Sequence, residues 1–184
     1  MTRGPALAYR LAEDRDMALV VDSWVDSYRT AHAAGMIPMP MYKESQRANV
    51  RWVLARPGVE VWVAYHPGES PESRADLYGW IAVERGYSVP RAIRQRVGGE
   101  LRWVEELRPC TDPLVHYVFV KESYREHGIA AGLFRAARVD RTKPFLFTCK
   151  TGVLNERLRR DGPTLLERHP LARWSPLIAR YPKT

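Results

Sequence analysis

Cysteine is scarce in this chain of 184 residues, which has only Cys110 and Cys149. Two cysteines form no disulfide framework and, unaided, no four-ligand zinc site, so the fold must rest on its own hydrophobic core. Long apolar runs are missing too. No stretch approaches the ~20 residues that span a bilayer, and Met1 to Leu11 contains no leader-type apolar segment. These absences favour a cytoplasmic protein with neither a metal nor a membrane partner.

Lysine is also rare, and five lysines contribute little to the total of 29 basic residues. Against 21 acidic residues, the chain carries a net charge of +8. Such a balance suits an anionic partner, which could be nucleic acid, an acidic membrane or a phosphate-bearing cofactor, although GC-rich coding also enriches arginine. No five consecutive residues are basic, so the sequence does not indicate a nucleic-acid-binding tail.

The length predicts one domain over residues 1–184, since about 150 residues make a typical domain. Within it we expect an insert at 87–113 and a proline-rich C-terminal tail at 161–184. Alternating β-branched and aromatic residues predict strands, and apolar residues spaced three and four apart predict helices. The predicted strands are Ala6–Leu11, Val59–Tyr65, Leu77–Val83, Leu114–Val120 and Pro144–Cys149. The predicted helices contain Met17–Tyr28, Met41–Ala55, Ile129–Ala137 and Gly152–Arg160.

The insert has the least regular pattern in the chain. Proline at position 90 is compatible with a helix start, and a second ordered piece is expected at Leu101–Leu107. Outside the insert, the element order is a strand, two helices, an antiparallel strand pair and then strand, helix and strand. The last three form a unit of βαβ size, whose two strands should run parallel. The sequence therefore predicts an α/β fold with a mixed sheet.

The chemically informative segment joins the strand Leu114–Val120 to the helix that begins near Ile129. Free N–H groups and the helix dipole make such a helix start a site for anions. Gly128 lets a phosphate approach the main chain closely, and Arg125 adds a charged donor. The segment therefore predicts a phosphate-binding loop.

The pattern Val118-Phe-Val-x-x-x-Tyr-Arg-x-x-Gly-Ile-Ala130 resembles the acyl-CoA-binding motif of the GNAT superfamily of acyltransferases. The order of elements is similar over most of Ala6–Cys149. The resemblance implies a central, mostly antiparallel sheet flanked by helices, with one parallel strand pair that splays apart around the cofactor. It also implies that acetyl-CoA, or another acyl-CoA, donates its acyl group directly to an amine. The acceptor is then a small molecule or a protein, and a homodimer is compatible with the family.

Carried over to this sequence, the motif gives each residue of the segment a role. Pantetheine would run along the main chain at Phe119 and Val120. The pyrophosphate would rest on the loop and the first turn of the helix, formed by Arg125, Glu126, His127, Gly128, Ile129 and Ala130. His127 is more readily explained as a solvated turn residue than as a catalyst.

Amide formation needs a base for the amine and an acid for the departing thiolate. His116 stands where the family often has a glutamate, and Glu84, at the end of the third strand, is the alternative base. His116 could instead be a packed histidine, and Glu84 a surface carboxylate. Strict alternation would send His116 and Tyr117 to opposite faces of the sheet. The helix after the last strand lacks the family's tyrosine, which leaves Tyr181 as the C-terminal candidate for the acid.

Two other functions fit the same fold. The chain is also similar to GNAT-type proteins of phages and prophages, which include the Mom proteins that modify adenine in DNA. Residues 135–160 contain eight basic and two acidic residues, but the arginines are scattered, so nucleic acid is possible without being favoured. The missing tyrosine is compatible with a third function, a catalytically degenerate binding or structural module.

Overall fold

The computed structural model describes residues 7–29, 38–67, 77–143, 145–148 and 172–174. The helices are α1 (Asp14–Arg29), α2 (Met39–Leu54) and α3 (Ile129–Ala136), and a single 3-10 turn covers Glu122–Tyr124. The strands are β1 (Ala8–Leu11), β2 (Val59–Tyr65), β3 (Leu77–Glu84), β4 (Ser88–Val97), β5 (Glu100–Pro109), β6 (Leu114–Val120), β7 (Phe145–Phe147) and β8 (Ala172–Trp174).

The strands form one main sheet in the order β1-β2-β3-β6-β7-β8. Pairing is antiparallel from β1 to β6, whereas β6–β7 and β7–β8 are parallel. The predicted α/β fold with a mostly antiparallel sheet and a parallel pair at β6–β7 is therefore confirmed. None of the helices in the described ranges has the length and apolar content needed to cross a membrane.

The central strand β3 is buried along its whole length and supplies both hydrophobic cores. Its alternation sends Trp80 and Ala82 to the core beneath α1 and α2, while Ile81 and Val83 enter the core beneath α3. The predicted helix face of α1 is confirmed. Val21 and Trp24 are buried in the first core, and Met17 and Tyr28 pack against it.

Asp16 fixes the start of α1 from within its first turn. Its carboxylate accepts a hydrogen bond from the Glu13 N–H at 2.8 Å and one from the Arg10 guanidinium at 2.6 Å. Burial raises the pKa of Asp16, but the bonds from Arg10 and Glu13 outweigh burial and hold that pKa below its usual value. Of the two acidic residues in the first turn of α1, Asp14 and Asp16, the second makes these contacts.

The insert does not contain the helix predicted from Pro90. It is a β-hairpin of β4 and β5, paired from Ser88–Pro109 to Val97–Glu100 as a separate two-stranded sheet. Gly98 and Gly99, both at positive φ, form its two-residue turn. A Gly-Gly pair between strands of equal length is a hairpin signal, and Pro90 is tolerated because the hairpin has open edges.

Other boundaries shift by a few residues. The second helix begins at Met39 rather than Met41, because Pro40 lies in its first turn, where no intrahelical N–H is required. The last predicted strand is shorter, at Phe145–Phe147. The predicted helix Gly152–Arg160 lies outside the described residues, as does the predicted tail apart from residues 172–174.

Candidate functional site

Strands β6 and β7 pair over a short stretch of the described residues. Their register consists of Leu114 opposite Leu146 and Val115 opposite Phe147, and the Thr148 N–H donates to the Val115 carbonyl at 3.1 Å. On its other side, β6 remains paired with β3 as far as Val120. The β6–β7 register thus ends before Phe119 and Val120, the two residues predicted to lie along pantetheine. This short β6–β7 pairing beside the unpaired edge of β6, called the fork below, is the first feature of the candidate site.

The second feature is the loop from β6 to α3. The Lys121 N–H donates to the Tyr78 carbonyl at 2.9 Å, and the Tyr124 ring packs on Tyr78 at a centroid distance of 4.4 Å, so the loop starts in a fixed place. Glu126 and Gly128 then adopt left-handed φ values of 72° and 75°. The two left-handed residues turn the chain sharply into α3.

Gly128 is the N-cap of α3 and provides no capping side chain. A Cβ built on Gly128 would meet no other atom within 4 Å, so the space in front of the helix start is open. Uncapped N–H groups with the positive end of the helix dipole form a site suited to an anion. The geometry is suited to the predicted phosphate-binding loop, which stays a prediction.

The charged side chains of this loop are exposed and of both signs. The Arg125 Nε–H reaches the Val120 carbonyl at 3.4 Å, which keeps the guanidinium beside the helix start. His127 Nδ1 lies 2.9 Å from the Arg125 carbonyl, as expected of a turn residue whose ring N–H donates to the main chain. Glu126 is the one acidic residue between Arg125 and Ala130 and opposes an anion there.

A shallow depression of about 550 Å³ lies beside the same helix start, lined by Tyr9, His127, Gly128, Gly132, Arg135 and Ala136. Tyr9 of β1 packs so closely on α3 that a Cβ on Gly132 would lie 2.0 Å from the tyrosine oxygen. Burial raises the pKa of Tyr9, and the Arg135 charge acts in the opposite direction. The close approach explains why glycine stands in the middle of this short helix.

The two alternative bases form one buried pair. His116 Nε2 lies 2.8 Å from Glu84 Oε2, and each residue is only 2% exposed. The second oxygen of Glu84 accepts a hydrogen bond from the Arg56 guanidinium at 2.9 Å. In the tautomer in which Nε2–H donates to the carboxylate, Nδ1 is the ring nitrogen on the side of Thr148. The interpretation of Glu84 as a surface carboxylate is wrong.

A β-bulge brings the pair together. Val83 pairs with Val115 and Ala82 with Tyr117, so His116 is the extra residue of β6. The alternation that would send His116 and Tyr117 to opposite faces is interrupted at this point. The Thr148 hydroxyl donates to the His116 carbonyl at 3.2 Å and lies 3.4 Å from Nδ1, at the point where β7 ends.

Tyr117 is directed into the core rather than toward the fork. Its ring stacks on Trp24 at 5.1 Å and on Trp80 at 5.5 Å, and its hydroxyl lies 3.0 Å from Ser27 Oγ on α1. Tyr181, the candidate acid, lies outside the described residues. Arg56 and Thr148 were not among the predicted site residues, and nothing in their local sequence indicates the contacts that they make.

A sheet of this order, with a parallel β6–β7 pair and a glycine loop at a helix start, matches the fold that the resemblance implies. Searches of family models and of curated proteins return no match. Among solved structures, a proposed acetyl transferase of Pyrococcus furiosus matches with a TM-score of 0.52 at 14% identity, over 84% of this chain and 92% of that one. This likeness shows that the chain has the GNAT acetyltransferase fold.

A second match is the aminoglycoside antibiotic 6'-N-acetyltransferase AAC(6')-Ih of Acinetobacter baumannii. Its TM-score is 0.45 at 13% identity, over 97% of this chain and 99% of that one. A ribosomal-protein-alanine N-acetyltransferase from Brucella melitensis matches with a TM-score of 0.38 at 17% identity, over 72% and 70% of the two chains.

Proposed function

We propose that this protein is an acyl-CoA-dependent N-acyltransferase that transfers an acetyl group directly to an amine. The observation that carries the proposal is the combination of the β6–β7 fork with an uncapped, open helix start at Gly128. An extended chain with amide groups fits the first feature, and a pyrophosphate fits the second. Coenzyme A has both parts in one molecule.

The residues at these two features fit the cofactor in different ways. Phe119 and Val120 would offer main-chain groups to the pantetheine amides, and the N–H groups from Gly128 to Ala130 would face the pyrophosphate. Arg125 would add a charged hydrogen bond. When bound, acyl-CoA supplies an activated thioester. Glu122, which lies 3.9 Å from Arg125, and Glu126 are the acidic residues of the loop, and the exposure of both lets their carboxylates remain solvated.

The reaction forms a bond between the acceptor nitrogen and the acyl carbon and breaks the bond from that carbon to sulfur. The amine loses a proton, and the thiolate gains one. We assign the proton acceptor to the Glu84–His116 pair, with Glu84 holding the imidazole so that Nδ1 is the basic atom. Nδ1 faces the partly exposed Thr148 hydroxyl, which therefore links the buried ring to the fork. Tyr181 stays a prediction for the acid.

Burial of the pair favours a second function. A base that is 2% exposed does not touch an acceptor directly, and a network of Arg56, Glu84 and His116 is also what a structural core histidine would have. On this alternative, the protein binds acyl-CoA without turning it over. Thiol release from acetyl-CoA with a panel of amine acceptors separates the two functions, because only an enzyme releases free CoA.

Calorimetric titration with acetyl-CoA tests the proposed cofactor. We expect binding by the unaltered protein, and Arg125→Ala should weaken it about 10- to 150-fold because one charged hydrogen bond contributes ~1.5–3 kcal/mol. Arg102→Ala is the control, since Arg102 is an exposed arginine on β5, outside the loop and the helix start. Absence of heat at millimolar acetyl-CoA would show that the cofactor assignment is wrong.

A further inference from the structure

The hairpin of β4 and β5, called the ribbon below, stands apart from the main sheet. Each strand has 10 residues, which at about 3.3 Å per residue gives a ribbon of roughly 33 Å. It forms its own two-stranded sheet, and neither strand pairs with the main sheet. Isolated two-stranded ribbons are marginally stable in water, so one with large exposed apolar groups is a candidate for a binding surface.

The strand register places a distinct set of residues on one face of the ribbon. Three large apolar residues of β5 stand there with 65–68% of their surface exposed, namely Leu101, Trp103 and Leu107. Opposite them in register are Arg96, Arg94 and Pro90. The Arg94 guanidinium lies over the Trp103 ring at 5.1 Å from its centroid. The planar guanidinium of Arg94 thus already stacks on the indole ring of Trp103, and Trp103 is still two-thirds exposed.

On the other face of the ribbon, two arginines form ion pairs. Arg102 pairs with Glu100 at 2.9 Å, and Arg108 pairs with Glu106 at 2.7 Å, each within its own strand. By contrast, no carboxylate among the described residues lies within ion-pair distance of Arg94 or Arg96. By register, the aromatic face carries Arg94 and Arg96 against Glu105, which leaves it one net positive charge.

We propose that the aromatic face of the ribbon binds single-stranded DNA. Trp103 stacks an unpaired base on the side that Arg94 leaves open, and Arg94 and Arg96 neutralise adjacent phosphates. Stacking on an aromatic ring combined with arginine is a general means of holding unpaired nucleotides. A duplex hides the faces of its bases in its own stack, so it gains nothing from the exposed indole.

Charge and composition distinguish DNA from the other partners. A second copy would bring another chain of net charge +8 to this face, whereas a polyanion is attracted to it. The apolar Leu101 and Leu107 suit the unsubstituted C2′ of deoxyribose. Ser88, opposite Pro109 at the base of the ribbon, is the one serine, threonine, asparagine or glutamine on this face, and it lies six residues along β4 from Arg94, so no such residue is placed beside Trp103 to recognise the 2′-hydroxyl of RNA. An acidic protein segment would satisfy the charge but would leave no reason for a planar Arg94–Trp103 stack.

Fluorescence anisotropy with a labelled oligothymidylate of about 20 nucleotides tests the proposal, since binding folds cover ~4–16 nucleotides. We expect Trp103→Leu, which keeps an apolar group but loses the ring, to weaken binding about 5- to 150-fold, because stacking contributes ~1–3 kcal/mol per base. Trp103→Phe should recover most of the affinity. Two neutralised phosphates predict about a sevenfold loss between about 50 and 200 mM salt.

The controls separate this face from the rest of the molecule. Replacing both Arg94 and Arg96 by alanine should weaken binding and remove most of the salt dependence, whereas Arg102→Ala on the other face, where Arg102 already pairs with Glu100, should change the affinity less than twofold. Circular dichroism checks that each variant is folded. The proposal is overturned if wild type does not bind, if Trp103→Leu binds as tightly as Trp103→Phe, or if oligouridylate or duplex DNA binds equally well. Self-association that depends on Trp103, without DNA binding, also overturns it.

Discussion

Alanine at Gly128 should separate the stability of the fold from the affinity for coenzyme A. Gly128 has a φ of +75°, and a Cβ there meets no atom within 4 Å. The only structural cost of Gly128→Ala is therefore the left-handed backbone, about 1–2 kcal/mol. A phosphate at the helix start would meet the new methyl group directly. Loss of two hydrogen bonds to a charged group, at ~1.5–3 kcal/mol each, predicts at least a ~100-fold weaker affinity.

Gly98 provides the matched control for this substitution. It has a φ of +61° and is equally open, but it lies at the tip of the ribbon, far from α3 in the topology. Gly98→Ala should cost a similar ~1–2 kcal/mol in urea unfolding and leave acetyl-CoA binding unchanged. Both variants are compared with the wild type by far-ultraviolet circular dichroism and by calorimetry. Equal acetyl-CoA affinity in Gly128→Ala and the wild type would refute the phosphate-binding loop.

Three further predictions concern the base, the pH dependence and the charge. Replacing His116 by alanine or Glu84 by glutamine should lower kcat by ~10²–10⁴ in a thiol-release assay with acetyl-CoA affinity nearly unchanged; full activity in both variants removes the pair from the mechanism. The pKa of Asp16 is lowered in the fold, so its stabilising effect is present above the unfolded pKa of ~3.9 and is lost as pH falls through the folded pKa. Asp16→Asn should therefore be less stable than the wild type to urea at neutral pH, and the two should converge in strong acid; a constant difference contradicts this. Duplex DNA should bind no more tightly than micromolar near physiological salt, and nanomolar, steeply salt-dependent binding in a gel-shift titration would make DNA the favoured acceptor.

The parts of the fold that sequence predicts are those with a regular local period. The predicted bounds of β2 and β6 agree with the observed ones. A strand that is buried between two layers is rich in β-branched and aromatic residues, so its pattern is easy to recognise in the sequence. The face of α1 is equally clear from Met17, Val21, Trp24 and Tyr28. The loop at Gly128 is predictable because a glycine between a strand and a helix is a local feature.

The ribbon was wrongly predicted because two local signals compete there. Pro90 fits a helix start, and the arginine-rich composition of β4 has no apolar alternation. The Gly98–Gly99 turn is the stronger signal, since it implies equal strands on both sides. Cross-strand pairing then decides the structure, and contacts such as Arg94 on Trp103 are visible only once the register is known.

The buried pair at the fork could not be derived from sequence in full. The sequence gives His116 and Glu84 as two alternative bases. Strict alternation along β6 gives no reason to expect that the two side chains contact each other. Their contact depends on a bulge that adds one residue to β6, and a bulge leaves no sign in the composition. Arg56, which completes the network, comes from the end of α2. Contacts across this sequence distance follow from the packing of whole elements.

The root of the ribbon has a consequence for how the chain could have changed over evolution. The Cys110 N–H donates to the Tyr87 carbonyl at 2.9 Å, so the two chain segments that enter and leave the ribbon are already side by side. Strands β3 and β6 are direct neighbours below that point, with Glu84 opposite Leu114. Exchanging Ser88–Pro109 for an Asn-Gly turn would leave β3 and β6 as an ordinary hairpin. The ribbon is thus a transplantable module, which a lineage can gain, lose or exchange without rebuilding the sheet that carries the fork.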